Sequence, residues 1–302
     1  MSPYLYIVVL ALNAKEHLKR LLGALAQLPI GVRVIAIDQG STDGTREWLR
    51  SIQGEGLICI PNEGNVGVAA GWNQGIRTAL TNGAQAVLVC GHDTWPMPGA
   101  IHRLLQFLQA GVPFITGTAV PYDAPEIPTG EVGPSDTLIA APDYSFFLMP
   151  VRTIQALAMH EAQSGARISP WQLGLFDEGF VGAYFEDGDH HTRLHRAGIF
   201  AARDPGALFR HDCSLTLRTT PAVAQMNQQT FRANGDYFRQ KWGGLPHELE
   251  TPAQARPLNV SDEQWTAMTA GRGIIELDPA HLVAQAMAVY ARYGLVSQPA
   301  AA

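Results

Sequence analysis

Cysteine is scarce in this chain: Cys59, Cys90 and Cys213 are the three among 302 residues. An odd, sparse set builds no disulfide framework. Two of the three lie inside apolar runs and read as buried thiols, so a reducing compartment fits. A long hydrophobic run is missing as well. Tyr4 to Leu12 is apolar but too short to cross a bilayer, and no basic segment precedes it. It reads as a first strand, and the chain is expected in the cytoplasm with no transmembrane segment. Positive charge is in deficit, with 21 Lys and Arg against 27 Asp and Glu, a net charge of −6. That balance carries no general nucleic-acid footprint, though it leaves room for a local basic strip. Internal repeats and low-complexity stretches are absent. The remaining composition, 46% hydrophobic and 16% charged, is ordinary for a globular protein. The length suits one large α/β domain, or one domain with an appendage.

The first half alternates short apolar runs with helical patterns. Tyr6 to Leu10 reads as a buried strand. Asn13 then reads as an N-cap, with Glu16 placed for a capping box. Leu18, Leu21, Leu22, Leu25 and Leu28 follow at helical spacing as far as Pro29. Val34 to Ile37 is a second strand that ends in Asp38. A turn rich in Gly, Ser and Asp leads to a helix with Trp48, Leu49 and Ile52. Leu57 to Ile60 is a third strand. Beyond the loop Asn62 to Gly67, the spacing predicts a helix with Val68, Trp72, Ile76 and Leu80 on one face. Ala86 to Cys90 is a fourth strand, followed by Gly91-His92-Asp93-Thr94. Pro98 and Gly99 open one more helix, through Leu108, which Gly111 ends. This β-α alternation with short connections implies a parallel sheet covered on both faces. Ligands bind off the carboxyl edge of such a sheet, which is where Asp38, Asn62 to Asn65 and Asp93 fall.

The second half reads differently. Strands are expected at Pro113 to Ala119 and Tyr144 to Met149, with a surface loop from Val120 to Asp136 between them. Val151 to Glu161 suggests a helix. Ser164 to Gly182 is a Gly- and aromatic-rich loop containing Trp171 and Phe176. Glu186-Asp187-Gly188-Asp189 opens a helix that stops at Ala197-Gly198. Ile199 to Ala202 and Ala207 to Arg210 are two short apolar runs ahead of His211. From about Thr219 the chain looks helical, with a break at Trp242-Gly243-Gly244.

Two sets of motifs now stand in order. Asp38-Gln39-Gly40-Ser41-Thr42-Asp43-Gly44 and Asn62 to Ile76 resemble the nucleotide-sugar-binding half of the family 2 glycosyltransferases. Phe176-Asp177-Glu178-Gly179-Phe180, Phe185 to Asp189 and Arg193 to Gly198 resemble their acceptor half. The likeness spans roughly residues 4–245 and is nearest to rhamnosyltransferase-like members. It implies a GT-A fold with a mostly parallel central sheet. It also implies a donor half at 1–119 and an acceptor half at 120–245; beyond it, 246–302 reads as a helical extension.

The resemblance places roles residue by residue. Asp38 corresponds to the carboxylate that accepts from the nucleotide base. Asn65 and Gly67 shape the loop beneath the ribose and diphosphate. Leu12, Asn13, Asp43, Asn73 and His92 complete the implied nucleotide-sugar contacts. Each also reads as a plain turn, cap or packing residue. Asp93 matches the last acid of the family's D-x-D metal motif, whose first acid is Gly91 here. His211 matches a histidine that completes the metal site, and the implied cofactor is a divalent cation, Mn2+ or Mg2+. Asp187 matches the general base of inverting members, kept ionised by the helix N-terminus. Glu186 could do that work instead, and Asp189 more simply caps the helix. Trp95 and Trp171 suit either sugar stacking or packing.

The expected activity is inverting transfer of a sugar from a nucleotide-diphosphate sugar to an acceptor hydroxyl, by default on a saccharide. A hydroxyl on a modified DNA base, a protein side chain or a small molecule remains an open acceptor. A non-catalytic nucleotide-sugar-binding protein is the rival reading, and Gly91 is its support. A sugar-1-phosphate nucleotidyltransferase is disfavoured, because no Gly-rich basic triphosphate loop stands near the N-terminus.

Overall fold

A computed structural model describes residues 5–249, except 27, 29, 30, 134, 135 and 214, together with residues 274–275. The donor half follows the expected alternation. Its elements are β1 (Leu5–Ala11), α1 (Lys15–Leu25), β2 (Val32–Asp38), α2 (Thr45–Ile52), β3 (Leu57–Pro61), α3 (Val68–Thr81) and β4 (Ala86–Gly91). A short strand β5 (Thr94–Pro96) and helix α4 (Ala100–Gln109) follow. Next come β6 (Phe114–Pro121), β7 (Leu138–Ile139), β8 (Phe146–Pro150) and α5 (Val151–Ser164). The chain continues through α6 (Glu186–Arg196), β9 (Ala201–His211), α7 (Leu215–Thr219), α8 (Pro221–Trp242) and β10 (Ile274–Ile275). Apart from that strand, nearly all of the extension expected to be helical at 246–302 lies outside the described residues.

One sheet joins the strands in the order β10-β7-β9-β6-β8-β4-β1-β2-β3, with β5 paired to β9. β4, β1, β2 and β3 are mutually parallel neighbours. β8 enters antiparallel to β4 and to β6, and marks the change of character between the halves. The two faces sort by alternate residues, as a period of two requires. Leu5, Ile7 and Val9 of β1 face Leu18 and Leu21 of α1 and Phe107 of α4. Tyr6 and Val8 face Ile76 of α3, Leu157 of α5 and Leu194 of α6. β1 is therefore buried on both sides, which explains why its apolar run lacks alternation.

Three expectations change. Asn13 is not the N-cap of α1: Ala14 holds that place and no side chain caps from it. Asn13 adopts a left-handed φ of 49°, which its short amide tolerates. Its Oδ1 accepts instead from the Thr42 N–H at 2.8 Å. The free helix end is met from the neighbouring loop, where Asp43 Oδ2 accepts from Lys15 N at 3.2 Å. Glu16 pairs with Lys19 rather than closing a capping box. The two apolar runs before His211 form the single strand β9. Its register against β6 shifts between Thr116 and Thr118, where extra residues bulge out. Buried Asp204 fits there because Arg103 binds it at 2.5 Å. Finally, Ile52 is 42% exposed and lies off the buried face of α2.

The α3 glycines fix how close that helix comes to β1. A Cβ on Gly75 would lie 2.2 Å from Val8 Cγ1, and one on Gly71 would lie 2.7 Å from Leu10 Cδ2. Gly75→Ala should therefore destabilise by ~1–3 kcal/mol through overpacking, against the gain in helix propensity. Gly23 in α1 has nothing within 4 Å of its would-be Cβ. Gly23→Ala should accordingly stabilise by ~0.4–1 kcal/mol. Urea midpoints of the two variants should move in opposite directions; equal shifts would refute the close-approach argument.

Candidate active site

The carboxyl ends of β1, β2, β3 and β4 bring four loops together. Between them lies a cleft of about 170 Å³. One wall is Leu12, Gln39, Asn65 and His92, from the loops after β1, β2, β3 and β4. The opposite wall is Ala183, Thr216 and Asn227, from the second half of the chain. His92 is held by Nδ1 against the Leu10 carbonyl at 3.0 Å, and its Nε2 lies 3.4 Å from the Thr216 hydroxyl.

Several expected contacts sit beneath the cleft rather than in its wall. Asp38 is wholly buried. Its Oδ1 accepts from Ser41 N at 3.1 Å and its Oδ2 binds Arg46 Nε at 2.6 Å. Arg46 also donates to the Asn62 carbonyl. Asp43 is occupied by helix ends: Oδ1 accepts from the Thr45 N–H and hydroxyl, in addition to its bond with Lys15. Burial alone would raise its pKa, but those donors hold it below the ordinary value. Asn73 is not brought to the cleft. It is fully buried, with Nδ2 on the Phe176 carbonyl and Glu178, and Oδ1 accepting from Phe176 N. It ties α3 to the acceptor loop. Gly67, at φ 90°, abuts Gly182, and Val68 N donates to the Gly182 carbonyl at 2.7 Å.

Asp93 and His211 do come together, from opposite halves of the chain. Their Oδ2 and Nε2 are 3.6 Å apart. β5 pairs with the end of β9 and so aligns Thr94 with His211. Burial would raise the Asp93 pKa, but His211 and His92 beside it keep it lowered. For His211 burial acts downward, yet Asp93 and the Cys213 thiol raise its pKa to about 10. The first position of the D-x-D motif has a local explanation: a Cβ at Gly91 would meet Asp93 Oδ1 at 2.5 Å. A carboxylate and an imidazole at a sheet edge suit a cation that takes its other ligands from phosphates and water. Among the described residues, no group of three or more His, Cys, Asp and Glu could hold a metal ion by itself.

The acids of α6 separate by environment. Asp189 is fully buried and pairs with Arg193 at 2.7 Å, Lys241 at 2.7 Å and the Trp242 indole at 2.9 Å. Lys241 also binds Asp177 at 2.6 Å, and Arg193 binds Glu161 at 2.6 Å. Asp189 is thus one link in a buried ion chain rather than a simple cap. Asp187 is partly exposed and accepts from Gly188 N at 2.7 Å. Its pKa is raised by burial, with Asp143 adding to the effect. The helix terminus does not hold it at an ordinary carboxylate value, as the sequence led us to expect. Glu186 is buried and its pKa lies well above normal, through burial and then the charge of Asp187. Trp95 packs edge-on against Tyr122 in the core, whereas Trp171 is 69% exposed.

The layout invites comparison with known proteins. Residues 6–149 match the model of glycosyl transferase family 2. The matched segment is just under half of the chain. It carries Leu12, Asp38, Asn65 and Asp93, while Asp187 and His211 lie beyond it. No curated protein matches the chain. Among solved structures, the chain is similar to S. aureus TarS 1-349, with 13% identity and a TM-score of 0.51 over 90% of this chain and 70% of that one. The same TarS segment in complex with UDP-GlcNAc gives 12% identity and a TM-score of 0.52 over 90% and 71%. A mannosyltransferase from Pyrobaculum calidifontis, in complex with GDP-Man and Mn2+, gives 14% identity and a TM-score of 0.52 over 97% and 83%. These likenesses show the GT-A fold.

Sequence reading passed over several cleft residues of this GT-A fold. Gln39 is buried and spans the gap between loops. Its Nε2 donates to the Gly67 carbonyl at 3.0 Å, and its Oε1 accepts from Asn62 and from Val66 N. Its place directly after Asp38 was the available signal. Asn227 and Thr216 gave none, since their approach depends on how α7 and α8 fold back. Asn227 Oδ1 is buried and has no hydrogen-bond partner.

Proposed function

We propose that this chain is an inverting, metal-dependent glycosyltransferase that uses a nucleotide-diphosphate sugar and places the sugar on a saccharide hydroxyl. The observation that carries the reading is the meeting of Asp93 and His211 at the carboxyl edge of the sheet, beside the cleft. Residues 1–119 would seat the donor and 120–245 the acceptor. Leu12, Gln39, Asn65 and His92 would line the donor, over a floor kept in shape by Asp38 and Arg46. Asp93 and His211 would hold Mn2+ or Mg2+, with His211 giving up its proton to do so. Such an ion supplies charge neutralisation to a departing diphosphate.

Asp187 would take the proton of the acceptor hydroxyl. The acceptor oxygen bonds to the anomeric carbon, the bond from that carbon to phosphate oxygen breaks, and the nucleoside diphosphate leaves with the electron pair. A raised carboxyl pKa makes Asp187 a better proton acceptor near neutrality than an ordinary aspartate. Burial and the charge of Asp187 push the Glu186 carboxyl well above its ordinary value, which disfavours its charged form. Cys59, Cys90 and Cys213 form no disulfide among the described residues, in keeping with a reducing, cytoplasmic setting. No helix among the described residues is long and apolar enough to cross a membrane.

Thermal melts with UDP-GlcNAc, GDP-mannose and other nucleotide sugars, with and without manganese, test the reading. A true donor at 100 times its Kd should stabilise by ~2.7 kcal/mol, and Asp93→Ala should remove the manganese dependence. A panel with no shift under any condition would sink donor binding. Donor turnover that survives full chelation would sink the metal.

A further inference from the structure

The approach to Glu186 and Asp187 is backbone that few side chains adopt. Tyr184 has φ 79° and Phe185 φ 74°, two successive left-handed residues with large aromatic side chains. Such conformations persist only where the surroundings over-determine them, and they cluster at functional sites. The surroundings here are one face of α8. Asn234, 3% exposed, grips the chain just ahead of the strained pair. Its Nδ2 donates to the carbonyls of Val181 at 2.9 Å, Ala183 at 3.1 Å and Tyr184 at 3.1 Å. Its Oδ1 accepts from Val181 N at 3.1 Å.

The next residue completes the grip. A Cβ on Gly235 would lie 3.2 Å from Phe185 Cζ, so the ring rests tightly on the helix at that glycine. Phe231 packs on both strained rings, with centroids 5.5 Å from Tyr184 and 5.2 Å from Phe185. The gripped segment reaches the cleft, because Gly182 meets Gly67 and Ala183 lines the wall. One short run of chain therefore links the donor wall to the first turn of α6.

We propose that Asn234 is a positioning residue. It holds Val181 to Phe185 in the strained turn that presents Asp187, and it acts on proton transfer through Asp187 without touching substrate. The proposal rests on the reading of Asp187 as the base. Asn234→Asp keeps the shape, but it removes the donors and sets a charge against three carbonyls.

The test measures hydrolysis of UDP-GlcNAc or GDP-mannose, whichever raises the melting temperature, with water in place of the acceptor. Four proteins are compared: wild type, Asp187→Asn, Asn234→Asp and the double variant. Asn234→Asp should lower kcat roughly 10²-fold, the scale of a small misplacement of a reacting group, and leave donor KM within about twofold. The double variant should be no slower than Asp187→Asn alone, because residues that act as a unit are non-additive. A multiplied loss in the double variant, or a rise in donor KM that matches the fall in kcat, would overturn the proposal in favour of a purely structural role. Unchanged kcat in Asn234→Asp would overturn it as well. Unchanged kcat in Asp187→Asn is the separate failure of the base assignment. If Asn234→Asp melts below the assay temperature, Asn234→Ser takes its place in the same comparison.

Discussion

Asp187→Asn should lower turnover by roughly 10²–10⁴-fold, the usual worth of a placed general base. The amide keeps the shape of the carboxylate and loses the proton acceptor. Donor affinity should hardly change, since the base meets the acceptor and not the nucleotide. The pH profile adds a second mark. The folded pKa of Asp187 is raised by burial, so the acid limb of kcat should fall at a pH above that of an ordinary aspartate. Glu186→Gln should cost much less, because burial and the charge of Asp187 disfavour the ionised form of that group. The measurements are kcat and donor KM for both variants across pH 4–9, a window of about that width around the carboxylate and histidine ranges. If Glu186→Gln is the inactive one, the roles are reversed.

Arg193→Met should give the largest loss of stability. Arg193 is 2% exposed and serves Asp189, Glu161 and the Leu175 carbonyl together. Removing it strands the Glu161 carboxylate in the interior and leaves Asp189 to Lys241 and the Trp242 indole. Breaking a buried pair by removing one partner typically costs about 3–5 kcal/mol. That is a large share of the ~5–15 kcal/mol that keeps a domain folded. Adding Glu161→Gln to Arg193→Met should recover part of the loss, because the stranded charge of Glu161 is then gone. Urea unfolding decides it: a change below about 1 kcal/mol would mean that the chain of ions behaves like a surface pair.

Much of the donor half was legible because its signals are local. Apolar runs closed by Asp38, by Asn62 and by Gly91 give strands whose ends must carry loops. Asp93 and His211 were paired by resemblance, and the sheet brings them to 3.6 Å. What escaped sequence reading was long-range. Asn13 looks like a cap because an Asn three residues ahead of a Glu usually is one. A partner loop supplied the cap and freed Asn13 for Thr42. Asp38 looks like an open carboxylate, but Arg46 on the next helix covers it. Asp189 looks like a cap, and only the return of α8 reveals Lys241 and Trp242. His190 carries no local signal. It is a buried, neutral ring stacked 4.4 Å from Phe176 and bonded to the Tyr144 hydroxyl.

The flush seating of α3 on β1 has a mechanical consequence. Gly71 and Gly75 leave no slack between helix and strand, so the wall of the cleft that α3 carries is a fixed jaw. The jaw facing it is clamped at Gly182, whose carbonyl accepts from Val68 N at 2.7 Å, and is compliant where α7 and α8 form it. Its hold on the donor half near the cleft includes Asn13 to Thr220 at 3.5 Å and His92 to Thr216 at 3.4 Å, both at the long end for hydrogen bonds. A cleft of about 170 Å³ falls short of the roughly 300 Å³ at which ligand pockets begin. Widening it takes little from the compliant side and a great deal from the fixed one. The grip on a ligand is therefore set by one stiff surface and one that yields.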